Sequence, residues 1–193
     1  VQVLLTGFEP WGTNRVNPSG EIARELGGEV LPVQYTAAGT ILGRLLRRRR
    51  PEALLMLGLA ESRKEVALEA IAVNVDHSED RSRRRWRRPI AQGPLALPTR
   101  LPIDRLYRRL RRSRIPVRIS HYAGTFICNH VFYLGLRTTS VPCGFVHLPP
   151  FEAVPREEQL RAVRLILEEL GKGRAGRGKQ RQKGARSRPG SPG

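Results

Sequence analysis

Apolar runs and amphipathic stretches alternate along the chain, and their spacing predicts its elements. Residues 2–6 (QVLLT) form a short apolar run that suits a buried strand, followed by a Gly/Pro/Asn-rich loop, GFEPWGTNRVNPSG. Ser19 is placed to cap a helix over about 20–26, closed by Gly27 and Gly28. Residues 29–34 (EVLPVQ) predict a second strand. TAAGTILGRLLRRRR, about 36–50, puts Leu42, Leu45 and Leu46 on one helical stripe, and Pro51 ends it. ALLMLGLA at 53–60 is apolar without interruption, as expected of a strand covered on both faces. Residues 66–75 (VALEAIAVNV) alternate Glu69, Ile71, Val73 and Val75 and predict a strand. No period is visible over 77–100, which reads as a long loop.

An arginine-studded helix is expected at 103–113, a strand at 115–124, a helix through TFICNHVFYLGLRTT and a last strand at 143–150. The clearest helix is 155–171. Pro155 stands near its start, acids fill its first turn, Leu160, Val163, Leu167 and Leu170 share a face, and Gly171 closes it. Alternation of strands and helices predicts a three-layer α/β/α sandwich around a mostly parallel, twisted sheet. At 193 residues there is room for one such domain. The pattern assigns it to residues 1–171.

Charge changes the picture at the C-terminal end. Residues 171–193 hold eight cations, no anion and no apolar side chain larger than Ala. Such a stretch cannot offset the entropy of ordering it, so 172–193 reads as a disordered basic tail. The whole chain has 35 Lys+Arg, 31 of them Arg, against 17 Asp+Glu. Arginine clusters at 47–50, 81–88 and 105–118 raise the question of nucleic-acid binding. No zinc-finger spacing or RNP-type aromatic motif accompanies them, so weak, non-specific polyanion binding, chiefly through the tail, is the expectation. No run approaches the roughly 20 apolar residues of a membrane span. Two cysteines exclude a disulfide scaffold, and no secretory signal is visible; a reducing cytoplasm is the default.

Candidate chemistry gathers in YAGTFICNH, 122–130. Cys128 falls near the start of a helix, where unpaired N–H groups and partial positive charge lower a thiol's pKa and can hold an oxyanion. Cys143, entering a strand, is expected only to pack. Among four histidines, His130 lies about 200° round the helix from Cys128, His121 precedes the Gly124 turn, and His77 sits in the irregular stretch. His147 lies near the carboxyl end of its strand, where ligands bind in open α/β sheets, and so could meet Cys128. Glu65, Glu69 and Asp76 are candidates to orient the imidazole. Glu69, interrupting an apolar strand, is the most conspicuous. The histidines and cysteines show no zinc spacing, so neither metal nor cofactor is expected.

These residues resemble the pyroglutamyl-peptidase I family of cysteine peptidases. The matching stretches are LLTGFEPWGTNRVNPSG, LGLAESRKEVALEAIAVNVD, YAGTFICNHVFYLGL and GFVHLPP, in family order across residues 1 to about 170. The resemblance implies hydrolysis of the bond after an N-terminal pyroglutamyl residue through a thioester. It implies Cys128 as nucleophile, His147 as base and Glu69 as the group holding His147. Phe8 and Trp11 would wall the substrate pocket, with Asn17, Phe126 and Ile127 as further pocket residues. It also implies an α/β/α sandwich and homodimers or homotetramers.

Two departures stand out. Leu59 occupies a position where many relatives carry Gln. The acidic, Asn-containing loop of relatives is replaced by HSEDRSRRRWRRPIAQGP, 77–94, and an arginine that they place there has no assignable counterpart among Arg81 to Arg88. The alternative reading is therefore a weakened relative that binds nucleic acid or another polyanion. A nucleoside phosphorylase or hydrolase of similar architecture lacks support, since there is no phosphate-cradling GxxxxGK[ST] loop.

Overall fold

A computed structural model describes residues 1–12, 15–79 and 85–172. The chain runs β1 (Val3–Phe8), α1 (Pro18–Glu25), β2 (Glu29–Leu31), α2 (Tyr35–Arg49), β3 (Ala53–Leu59), β4 (Val66–Glu69) and β5 (Ile71–Val73). It continues through β6 (Asp76–Glu79), β7 (Arg85–Arg88), β8 (Ala96–Pro98), α3 (Ile103–Arg112), β9 (Val117–Ser120), α4 (Ile127–Thr138), β10 (Cys143–Leu148) and α5 (Arg156–Lys172). Six strands make the central sheet in the order β2-β1-β3-β10-β4-β9. All neighbours are parallel except β10 and β4.

The two-residue period of the strands sorts side chains into two cores. Leu5, Leu55, Leu57, Leu68 and Val146 face α1, α3 and α5 through Ile22, Leu106, Leu110, Leu160 and Val163. Leu4, Leu54, Met56 and Phe145 face α2 and α4 through Ala38, Leu42, Val131, Phe132 and Leu136. Each fully buried Leu or Phe is worth about 1.5–3 kcal/mol relative to an exposed one. The expected three-layer sandwich with a mostly parallel sheet is therefore the fold. Glu69 and His147 fall by the same period on the α2/α4 face, beside Phe145.

Several boundaries differ from the sequence expectation. The cap of α1 is Asn17, not Ser19: the Ser19 N–H donates to Asn17 Oδ1 at 3.1 Å, and Pro18 takes the first helical position. The strand expected over 66–75 is two strands. β4 stays in the main sheet, while β5 leaves it to pair antiparallel with β8. The region expected to be a loop, 77–100, contains a hairpin of β6 with β7 and also β8. These strands rest on backbone ladders, which hydrophobic periodicity does not report. The last helix runs to Lys172, one residue past its expected end. The rest of the expected tail, 173–193, lies outside the described residues.

Some of the arginine surface is internally paired. On α3, Arg105 and Arg109 pair with Glu169 of α5 at 2.7 and 2.8 Å. Among the described residues no helix is long and apolar enough to cross a membrane.

Candidate active site

Helix α4 begins where β3 and β10 end. The strand before it, β9, runs antiparallel to β10. The segment 121–126, turning at Gly124 with φ +85°, therefore climbs back before α4 descends along the sheet. This route differs from the simple strand-to-helix turn suggested by the sequence, although it delivers Cys128 to the expected end of β10. The N-cap, Phe126, is extended (φ −97°, ψ −165°), and no side chain caps the helix. The first intrahelical bond is from His130 N–H to Phe126 O at 3.0 Å, so the amides of Ile127, Cys128 and Asn129 precede the ladder.

Cys128 Sγ lies over the backbone of Gly58. A Cβ at Gly58 would come within 2.7 Å of the sulfur and 2.6 Å of the Phe145 ring. Gly58 is the register partner of His147 on the adjacent parallel strand. Residues paired in this way direct side chains to the same face, which puts the His147 imidazole beside the thiol. The His147 ring also packs on Phe145 with centroids 4.9 Å apart. Its Nδ1 lies 2.7 Å from Glu69 Oε1. The antiparallel register sets Glu69 opposite Phe145 and Ala67 opposite His147, so the pair is diagonal across the strands. His147 is 5% exposed and Glu69 0%. A carboxylate at Nδ1 fixes the proton there and leaves Nε2 as the basic nitrogen.

The thiol does not have the lowered pKa expected of a helix start. Burial and then the charge of Glu69 push Cys128 up to about 12, and only its backbone hydrogen bond pulls the other way. Desolvation outweighs the helix terminus here and favours the protonated thiol.

The cleft in front of Cys128, about 960 Å³, is walled by Phe8, Trp11, Val33, Leu59, Phe126 and Ile127. Phe8 is a buried wall, whereas Trp11 and Phe126 stand exposed at the mouth. Asn17 also lines the cleft, but its amide is engaged. Nδ2 donates to Glu9 O at 2.9 Å, and Oδ1 accepts from Ser19 N and Oγ. Cys143, by contrast, is buried in the core four residues before His147.

The structure adds residues that the sequence reading passed over. Tyr35, at the start of α2, lines the cleft and donates its hydroxyl to His77 O at 3.1 Å. His77, expected in an irregular loop, belongs to β6 and stacks on Phe126 at 5.8 Å and 22°. Arg63 lies with Nη2 3.0 Å from Glu69 Oε1. The only sequence signals were an aromatic at a strand-to-helix junction and a cation six residues before Glu69.

His130 and Asp76 form a second buried pair. Nδ1 of His130 approaches Asp76 Oδ2 at 2.8 Å and Oδ1 at 3.0 Å. Next to it, Asn129 bonds the backbone of Val73 and Val75. Together they fasten β5 and β6 to α4 and hold that wall of the cleft. Of the three carboxylates considered from sequence, Glu69 meets His147, Asp76 meets His130, and Glu65 meets neither. The arginine-rich segment that replaces the relatives' loop is described only in part, since residues 80–84 lie outside the described residues. On β7, Arg88 is close enough for its charge to act on the Tyr35 phenol.

Comparison with known proteins finds relatives over most of the chain. A family model described as pyroglutamyl peptidase matches residues 1–161. A pyrrolidone-carboxylate peptidase of Chromobacterium violaceum is 40% identical over 161 residues, 76% of this chain and 77% of that protein. One from Bacillus licheniformis is 32% identical over 88% of each. Among solved structures, pyrrolidone carboxyl peptidase from Thermus thermophilus is 42% identical, covers 86% of this chain and 98% of its own, and superposes with a TM-score of 0.79. A Pyrococcus furiosus structure gives 33%, 88% and 100%, with a TM-score of 0.80.

Proposed function

The chain belongs to the pyroglutamyl peptidase family, and on that premise we propose that Cys128, His147 and Glu69 carry its reaction. The activity is that of a cysteine exopeptidase hydrolysing the bond after an N-terminal pyroglutamyl residue. The observation that carries the residue assignment is a single juxtaposition. Glu69 holds His147 Nδ1, and the Cys128 sulfur sits over Gly58, the register partner of His147.

The chemistry follows from that juxtaposition. As Sγ attacks the pyroglutamyl carbonyl, its proton passes to His147 Nε2, and Glu69 stabilises the imidazolium that forms. First-turn amides of α4 take the oxyanion. The imidazolium then protonates the departing amine, leaving a thioester. Deacylation reverses the roles: His147 removes a proton from water, which attacks the thioester and releases pyroglutamate and the thiol. With the thiol pushed up by burial, transfer of its proton to His147 accompanies the attack.

The apolar wall of Phe8, Trp11, Phe126 and Ile127 suits a flat, uncharged lactam. A charged free amino terminus would pay to desolvate in the same slot. With Leu59 in the wall, and Asn17 and the Tyr35 hydroxyl both engaged, polar contacts fall to main-chain groups and to Ser62 and His77 on the cleft wall. We assign the catalytic unit to residues 1–171 and the substrates to peptides with a blocked pyroglutamyl end.

A fluorogenic pyroglutamyl amide should be cleaved, and iodoacetamide should stop it. Cys128→Ser should lose nearly all turnover while Cys143→Ser keeps most. Folded protein without turnover, or the reverse pattern in the two variants, would overturn the assignment.

A further inference from the structure

Glu69 presents a physical problem. It is wholly buried on an apolar face, where a lone carboxylate costs several kcal/mol and tends to take up a proton instead. A neutral imidazole N–H does little to prevent this. Oε2 has no hydrogen-bond partner among the described residues, so Oε1 alone bears the stabilising contacts. That same oxygen lies 2.7 Å from His147 Nδ1 and forms an ion pair with Arg63 Nη2 at 3.0 Å.

Arg63 is in turn held in place. Nη2 donates to Ser120 Oγ at 3.1 Å and to Tyr122 O at 3.3 Å. Ser120 ends β9, and Tyr122 lies on the climbing segment that leads to Cys128. The groups facing Glu69 are thus Arg63 from the β3–β4 connection, His147 from β10, Cys128 from α4 and the non-titrating Ser120 hydroxyl from β9. Of these, only Arg63 is a permanent charge.

We propose that Arg63 is a positioning residue of the reaction, keeping Glu69 ionised so that His147 holds its proton on Nδ1 and offers Nε2 to Cys128. The proposal rests on the assignment of Cys128, His147 and Glu69 made above. Arg63 touches neither substrate nor sulfur and acts through Glu69.

The test is a double-mutant cycle with pH profiles. Arg63→Gln should lower kcat by on the order of tenfold to a hundredfold with KM little changed. Without the cation beside the Glu69–His147 pair, the acid limb of kcat/KM should move to higher pH. Arg63→Lys should restore most of the rate and return the limb. In a Glu69→Gln background, Arg63→Gln should cost less than about twofold. A purely structural anchor would instead cost the same in both backgrounds and scale the profile without moving its limb; either result overturns the proposal. Should Arg63→Gln fail to fold, Ser120→Ala, which loosens the guanidinium, must move the acid limb the same way by less, and an unmoved limb overturns it.

A substrate-free readout separates this proposal from the assignment it rests on. The downfield His147 Nδ1–H resonance should be present in the wild type and in Arg63→Lys and lost in Arg63→Gln. If the wild type cleaves no pyroglutamyl amide, the functional assignment fails, yet this signal still decides whether Arg63 orders the pair. Its persistence in Arg63→Gln counts against the proposal.

Discussion

Among the described residues, two buried imidazole–carboxylate pairs adjoin helix α4. His147 with Glu69 and His130 with Asp76 have nearly the same Nδ1–oxygen separation, 2.7 and 2.8 Å. They differ in what meets the other ring nitrogen. His147 belongs to β10 and lies beside the space above Gly58, which the Cys128 sulfur fills. His130 points its Nε2 at Gly39 of α2, where a Cβ would come within 3.3 Å, and the Tyr35 ring stands edge-on at 5.2 Å. A paired histidine becomes a base only where its free nitrogen opens on a reactant; elsewhere the same pair is a fastening between elements.

The largest test breaks the two pairs one at a time. His147→Ala should lower kcat by about a thousandfold or more, with a modest change in melting temperature. His130→Ala should leave activity within about tenfold while costing about 2–4 kcal/mol, because Asp76 is stranded in the interior. Turnover on the pyroglutamyl amide and urea unfolding measured side by side would decide it. Comparable losses of activity in folded protein would mean that both pairs serve the chemistry.

How far the sequence told these pairs apart is instructive. The sandwich, the placing of Cys128 at a helix start by the end of β10 and the unusual carboxylate at Glu69 were legible, because buried strands and a helix start leave periodic or positional marks. The angle of His130 on the helix turned it away from Cys128, and the structure pairs it with Asp76. That partner was not legible in the sequence, since Asp76 begins a strand held by backbone bonds, in a stretch whose polar side chains carry no period. Arg63 was invisible for another reason. It sits in a short connection, and its meaning comes from Ser120 and Glu69, which only the sheet brings together. The thiol pKa was expected in the wrong direction because burial, which outweighs the helix terminus, is a tertiary property.

The two glycines sharpen the comparison with a smaller expected effect. Gly58→Ala would drive a methyl into the Cys128 sulfur and the Phe145 ring, at 2.7 and 2.6 Å. Displacing the Cys128 sulfur by a fraction of an ångström should cost on the order of a hundredfold in kcat. Gly39→Ala crowds Leu134 at 2.9 Å and His130 at 3.3 Å and meets neither Cys128 nor His147 within 4 Å. It should destabilise by about 1–3 kcal/mol and leave kcat nearly unchanged. Rate loss in Gly39→Ala matching that in Gly58→Ala would show that the fastening side controls the site.

The smallest effect is a titration, and each carboxylate should leave its mark on a different neighbour. Burial first, and the Glu69 charge second, raise Cys128 from 9.0 to about 12. Burial first, and Asp76 second, raise Tyr35 from 10.0 to about 12, with Cys128 adding to it and Arg88 opposing. Glu69→Gln should therefore lower the thiol pKa without bringing it back to 9.0, since the larger cause remains. Asp76→Asn should do the same for the phenol and leave the thiol nearly unmoved. Thiolate and tyrosinate absorption would follow each separately. The sign for stability is fixed. Below pH 9.0 the thiol is protonated in folded and unfolded chains alike and contributes nothing that varies with pH. Above it the unfolded chain ionises first, so stability falls as pH rises from 9.0 towards 12. Cys143, raised by burial to about 12, adds a parallel loss. Urea midpoints over that range should fall less steeply in Cys143→Ser than in the wild type. An unchanged slope would mean that the Cys143 thiol ionises as freely in the folded chain as in the unfolded one, and that burial leaves its pKa where it began.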